Sequence, residues 1–327
     1  MGWFKMKKVL IGILMMLCLV GCDKDENRDF KAELIEYNTK LTNYVLEAEM
    51  EISKSEGEIC FVIEASYLSP NYYKVIMKNK ANNNTQVMVK NDEGVFVITP
   101  SLNKEFKFNS DWPLNSSHAY LLQSIVKDIT NDQDATVTQD DDTYSVYSKV
   151  NNKSNANLKE QKTTFTKEGH KPITNIVYDN ANNPLVTVKF IKFDDKSSLT
   201  KTDFDAEVIN NTCRLEMGEG EVVSNIDECI PTFMPEGFEL TKTVSDDEYK
   251  VYSYASKEDT YIISCVMHEE SDIMTVSRTF DDFVLLDNGL GFVNENSLSF
   301  FNGNVFVSIY NDNFELVEAT SIANSFK

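Results

Sequence analysis

From Tyr44 to Ile52, apolar side chains including Leu46, Ala48 and Met50 alternate with Glu47, Glu49 and Glu51, and the same alternation runs from Ile59 through Phe61, Ile63 and Ala65 to Tyr67. A period of two sends successive side chains to opposite faces of a strand, so these are two long strands, each with a dry face and a wet one. With only a short polar link between them they form a hairpin, the start of an antiparallel meander. Shorter alternating runs follow at about 72–79, 85–90, 94–99 and 104–109, separated by turn residues such as Asn82-Asn83-Asn84 and Asn91-Asp92-Glu93-Gly94.

Helices punctuate this pattern. One is expected over about Phe30–Thr39, ahead of the hairpin. Another follows Trp112-Pro113-Leu114-Asn115, where Ser116 or Ser117 can cap it and Tyr120, Leu121, Ser124, Ile125 and Ile129 recur at helical spacing. Strands resume near 135–138, 144–150, 162–166, 173–178 and 185–193. The pattern weakens from about Asp203 to Asp227, with Gly218-Glu219-Gly220-Glu221 as a linker signal. Beyond Pro231-Thr232-Phe233-Met234-Pro235-Glu236-Gly237-Phe238, strands are expected at about 239–244, 249–255, 261–268, 283–286, 289–293, 297–301 and 305–310. Asp312 with Glu315 can form a capping box for a last helix carrying Leu316, Ala319, Ala323 and Phe326. Both halves read as α+β, and the chain divides into a leader (1–21), a flexible tether (22–29), a first domain (30–210), a linker (211–228) and a second domain (229–327).

The leader begins with Lys5, Lys7 and Lys8, continues as apolar residues from Val9 to Val20, and ends Leu19-Val20-Gly21-Cys22. That is the layout of a signal peptide. Twelve residues of helix reach roughly 18 Å, too short for a hydrocarbon core about 30 Å thick. A cysteine after a small residue at the end of such a run resembles the lipobox of bacterial lipoproteins. The resemblance implies cleavage before Cys22 and diacylglycerol on its sulfur, with palmitate-type chains holding the protein on the extracytoplasmic face of the cell membrane. Cys18, inside the apolar run, is the weaker acceptor.

The formal charge is -21, and loss of the three leader lysines makes the mature chain more negative still. Such a surface repels nucleic acid and anionic headgroups, which excludes nucleic-acid binding and suits a basic partner or simple solubility. Apart from Cys18 and Cys22, the cysteines are Cys60, Cys213, Cys229 and Cys265. Outside the cytoplasm an even number permits disulfides, and Cys213 with Cys229, closest in sequence, is the first pair to consider. No spacing points to a metal or a cofactor. The histidines, His118, His170 and His268, are widely separated, and no nucleophile motif or phosphate-binding glycine loop is present. Asp132, Asp134 and Thr136 imitate the start of a calcium loop, but Val137 stands where glycine is needed and Thr143 where the bidentate glutamate belongs. The sequence nominates no catalytic residue.

Three stretches of the first half carry a family resemblance: Ser69-Pro70-Asn71-Tyr72-Tyr73-Lys74-Val75, Gly94-Val95-Phe96-Val97-Ile98-Thr99-Pro100-Ser101-Leu102-Asn103-Lys104, and Pro113 through Tyr120-Leu121-Leu122 to Asp128. They resemble the lipoprotein-carrier (LolA-like) fold in the form found in sporulation lipoproteins of Gram-positive bacteria. The second half, through Pro231, Phe233, Pro235, Glu236, Gly237, Phe238 and the closing stretch Glu315 to Phe326, is similar to the C-terminal domain of the RseB/MucB type. The resemblance implies a curved antiparallel half-barrel with covering helices, followed by a smaller α+β antiparallel-sheet domain. It also implies a concave apolar face able to take an acyl chain or an apolar peptide. On this chain Tyr44, Leu46, Met50, Ile52, Phe61 and Ile63 would line it, although alternation alone does not separate an open cavity from an ordinary core. The expected function is that of a tethered binding lipoprotein, in sporulation or envelope stress, engaging a hydrophobic ligand or an envelope protein. The alternative is a structural or regulatory interaction module with no ligand pocket.

Overall fold

The structure, a computed structural model, describes residues 26–54, 57–100, 104–108, 111–113, 117–151, 158–217, 226–267, 282–287 and 289–326. The first strands are β1 (Asn43–Lys54), β2 (Gly57–Leu68), β3 (Tyr72–Asn79), β4 (Thr85–Asn91), β5 (Gly94–Thr99) and β6 (Lys104–Phe108). After an inserted helix come β7 (Thr136–Gln139), β8 (Thr143–Lys149), β9 (Glu160–Thr166), β10 (Pro172–Tyr178) and β11 (Pro184–Asp194). These 11 strands make one sheet in the order β6-β5-β4-β3-β2-β1-β11-β10-β9-β8-β7. Two meanders are thus stitched together where β1 pairs antiparallel with β11, and the sheet is open, ending in β6 on one side and β7 on the other.

Helix α1 (Glu26–Lys40) starts earlier than expected, inside the stretch read as tether. Phe30 and Leu34, one turn apart, are buried, and Phe30 stacks on Tyr144 at 4.1 Å. Helix α2 (Leu122–Asn131) joins the two meanders and buries Leu122, Ile125, Val126 and Ile129 at helical spacing. It starts at Leu122 with Leu121 at its N-cap, so Ser117 does not cap it, and Ser116 lies outside the described residues. Ser117 is used elsewhere: its backbone N–H donates to Asn151 O at 3.1 Å, and its Oγ accepts from Asn151 N at 2.7 Å. Helix α3 (Ala206–Met217) continues through the start of the expected linker, and residues 218–225 lie outside the described residues. Its Ala206 and Ile209, with Phe204, cover Tyr72, Val87, Val89, Phe96 and Ile98 on the face of the sheet opposite α2. Coverage on both faces explains why Val95 to Thr99 reads as an unbroken buried run and not as an alternation.

The second sheet has seven strands: β12 (Glu239–Ser245), β13 (Tyr249–Ala255), β14 (Thr260–Met267), β15 (Asp282–Leu286), β16 (Gly289–Asn294), β17 (Ser297–Asn302) and β18 (Val305–Asn311), in the order β12-β13-β14-β18-β17-β16-β15. Again two meanders are joined, here by β14 and β18. One face packs Tyr261, Ile263, Val307, Ile309, Leu298 and Phe300 under helix α4 (Leu316–Ala323), which contributes Ala319, Ile322 and Ala323. The expected capping box is not made. Glu315 is the N-cap without a side-chain cap bond, and Asp312 instead accepts a hydrogen bond from Tyr310 Oη at 2.5 Å. With four helices set against 18 strands among the described residues, the chain is mostly sheet, and α+β describes it only loosely.

Candidate functional site

Tyr44, Leu46, Met50, Phe61 and Ile63 share one face of the β1–β2 hairpin, as their register requires, and are at most 5% exposed; Ile52, near the end of β1, is half-buried. Rings cross the strands on this face in a continuous line. Phe193 lies 5.0 Å from Tyr44, Tyr44 is 5.5 Å from Tyr67, Tyr67 is 5.0 Å from Tyr73, and Tyr73 meets the edge of Trp112 at 6.1 Å. Tyr44 Oη donates to Gln123 Oε1 of α2 at 2.8 Å, and desolvation holds that phenol far above its ordinary pKa.

This face is occupied by the protein itself. The apolar cluster that contains five of the candidate residues, with Ile52 packed against it, also takes in Phe30 and Leu34 of α1, Leu122, Ile125, Val126 and Ile129 of α2, and Leu290 and Phe292 of the second sheet. Leu285, Phe301 and Phe306 pack against it as well. Beside this contact, between Phe61, Met77, Gln86, Leu285 and Gly289, lies a cavity of about 10 Å³, room for one water at most. Asp287 fixes the junction at its rim: Lys54 forms an ion pair with its carboxylate, and Asn79 Nδ2 donates to its carbonyl at 3.1 Å. Gly289 has φ of +155°, a conformation that L side chains rarely adopt, and a Cβ there would also displace the Gln86 side-chain amide. The alternation of β1 and β2 announces the face but carries no signal for what covers it.

The face of the second sheet that meets the first continues beyond the junction. Directly paired residues on neighbouring strands share a face, and the row runs Phe301, Phe306, Val266, Tyr249 from β17 to β13. Phe301 and Phe306 pack against the cluster that spans the junction, whereas Val266 and Tyr249 are 36% and 40% exposed. Four residues along, beyond the Ser264–Ser308 pair, Tyr310 pairs with Ile262, and both are likewise exposed. With Val244 on β12, they make a band of exposed apolar side chains on this face, crossed by the serine row Ser264 and Ser308.

A buried polar chain lies on the other flank of α2. Gln161 Nε2 donates to Asp128 Oδ2 at 3.2 Å and to Ser148 Oγ at 3.3 Å; Asn175 Nδ2 donates to Gln161 Oε1 and to Ala119 O, both at 3.0 Å; and Thr163 Oγ1 donates to Asn175 Oδ1 at 3.0 Å. Burial raises the Asp128 carboxyl from 3.8 to about 6, against the lowering effect of its hydrogen bonds. The network ties α2 to β8, β9 and β10, and nothing in it is placed as a nucleophile with its base.

Cys22 and His268 lie outside the described residues, as does the side chain of Cys213, one end of the disulfide considered above. Cys229 is buried beside Cys265, whose thiol approaches Cys229 O at 3.6 Å. His170 stacks between Phe30 and Tyr37 in the docking of α1, at 5.4 and 5.5 Å, and His118 lies against Trp112. The loop that imitates a calcium site finishes α2: Asp132 accepts from Asp134 N at 3.0 Å and Lys149 N at 2.8 Å. Among the described residues no three acidic, histidine or cysteine groups gather as a metal site.

Among solved structures, the Pseudomonas aeruginosa MucA/MucB complex is 11% identical, covering 90% of this chain and 98% of that one with a TM-score of 0.34. A putative outer membrane lipoprotein-sorting protein domain from Vibrio parahaemolyticus is 9% identical over 57% of this chain and 99% of that one, with a TM-score of 0.34. At these scores the likenesses carry no weight for what this chain does. Sporulation protein YdcC of Bacillus subtilis (strain 168) is 36% identical over 197 residues, which are 60% of this chain and 58% of that protein, so the match spans less than two thirds of the relative's length. The family described as sporulation protein YdcC-like matches residues 5–204, the greater part of the chain including the whole first sheet, and the chain belongs to that family.

Proposed function

We propose that this chain is a non-catalytic interaction module of sporulation, tethered to the outer face of the cell membrane through lipid on Cys22, that holds a protein partner against the second sheet. The observation that carries this reading is that the face of the first sheet bearing the candidate residues is covered by the protein's own side chains. The side chains that would have lined an acyl-chain pocket are packed beneath α1, α2 and β16, and the cavity at their edge holds a single water at most. Tyr249, Ile262, Val266 and Tyr310 are exposed apolar side chains on the same sheet face that is already used between the two halves of the molecule. A protein with an apolar patch extends that contact; a basic rim on the partner matches the acidic charge of this chain.

The test compares full-length protein extracted in detergent from sporulating cells with an Ile262→Asp/Tyr310→Asp variant, by co-purification and native mass spectrometry. A stoichiometric protein bound to the first and lost from the second is the expected result. One acyl lipid retained per chain, equally in both, would replace this reading with the pocket.

A further inference from the structure

We propose that Cys229 and Cys265 form a disulfide in the exported protein, pinning the segment that leads into the second sheet onto an interior strand of that sheet. The proposal rests on the reading that the chain is exported.

Cys265 lies on β14, and its Sγ is 3.6 Å from the carbonyl oxygen of Cys229, which follows a short 3-10 helix (Ile226–Glu228). Both side chains are fully buried, and both belong to the apolar cluster under α4, so neither thiol is displayed for exchange with a second molecule. They lie 36 positions apart in sequence, far enough for a bridge to restrict the unfolded chain substantially. An ion pair holds the neighbouring backbone in place: Lys250, directly opposite Cys265 in the register, reaches Asp227 Oδ1 at 2.9 Å. The thiols also differ in character. A hydrogen bond from Cys265 and the charge of Lys250 favour the Cys229 thiolate, while Cys265 is held protonated by Cys229 and by burial.

The bond is made by thiol–disulfide exchange. During folding, before the pair is covered, the Cys229 thiolate attacks one sulfur of an exported dithiol oxidant in its disulfide form and expels the other as thiolate. Cys265, losing its proton, then attacks the Cys229 sulfur of the mixed disulfide. One S–S bond forms between the cysteines, one breaks in the oxidant, and two electrons and two protons leave with the oxidant as its dithiol.

Protease accessibility of the protein on intact protoplasts establishes export independently. The membrane fraction is then acid-quenched, alkylated before and after reduction, and mapped by mass spectrometry. The expected result is a peptide pair joined through Cys229 and Cys265, with Cys60 alkylated without reduction. In the purified full-length protein, dithiothreitol lowers the Tm by about 5 °C or more, and Cys265→Ser abolishes that response. Exported protein whose Cys229 and Cys265 are alkylated without reduction, or whose Cys229 is joined to Cys213, overturns the proposal. If the protein is not exported, the tethering reading falls, and oxidation of the purified reduced chain by glutathione disulfide decides the pairing: failure to join these two sulfurs ends it.

Discussion

The first and second sheets are laid out by the same rule, two antiparallel meanders stitched through one inner pair of strands, yet their faces meet different fates. The inner face of the first is closed by α1, α2 and Phe292 from the other sheet, while its opposite face takes α3. Among the described residues, the second sheet has α4 on one side, and its other side is used in part at the junction and exposed in part. What distinguishes them is the supply of covering elements and not the pattern of the strands. The exposed apolar side chains on that open side are where the interaction surface is proposed.

The sharpest way to break this comparison is to treat equivalent positions on the one face differently. Phe292→Ala, at the junction, removes a buried ring shared by both halves and is expected to cost about 3–5 kcal/mol in chemical denaturation. A loss below about 1 kcal/mol would show that the second sheet does not help to close the first.

A smaller effect tests the polar flank of α2. Asp128 has a folded pKa of about 6 against an ordinary 3.8, so its contribution to stability is complete below the lower value and disappears as pH rises through the upper one. Stability is therefore expected to fall by about 1 kcal/mol between pH 5 and pH 7 on account of this group, and Asp128→Asn removes that part of the slope. An identical slope in the variant would locate the titration elsewhere.

The smallest effect belongs to the open band. Ile262→Asp is expected to change stability by no more than about 0.5 kcal/mol while weakening partner retention. If it destabilised the protein as much as Phe292→Ala, the band would be core and the contrast between junction and open surface would vanish.

The strands were legible because alternation is a local property: the β1–β2 hairpin and its inward set of Tyr44, Leu46, Met50, Phe61 and Ile63 follow from period two alone. Which neighbours cover that set is not local, and Leu290 and Phe292, more than 200 residues further along, carry no mark that assigns them to the first core. The helix caps failed for a related reason. Ser117 has a better partner in Asn151, on the far side of the α2 insertion, than in its own backbone. Closeness in sequence points Cys229 to Cys213, whose side chain lies outside the described residues, whereas the thiol that the fold brings beside Cys229 is that of Cys265, on β14.

Helix α1 begins at Glu26 and is pinned to the first sheet by Phe30 and Leu34. With lipid on Cys22 as proposed, the leash between bilayer and body has four links, a reach of at most about 14 Å at about 3.6 Å each. Such a molecule cannot sample distant territory or ferry cargo. It patrols a shell one small protein deep, and whatever it meets must itself be held close to the same surface.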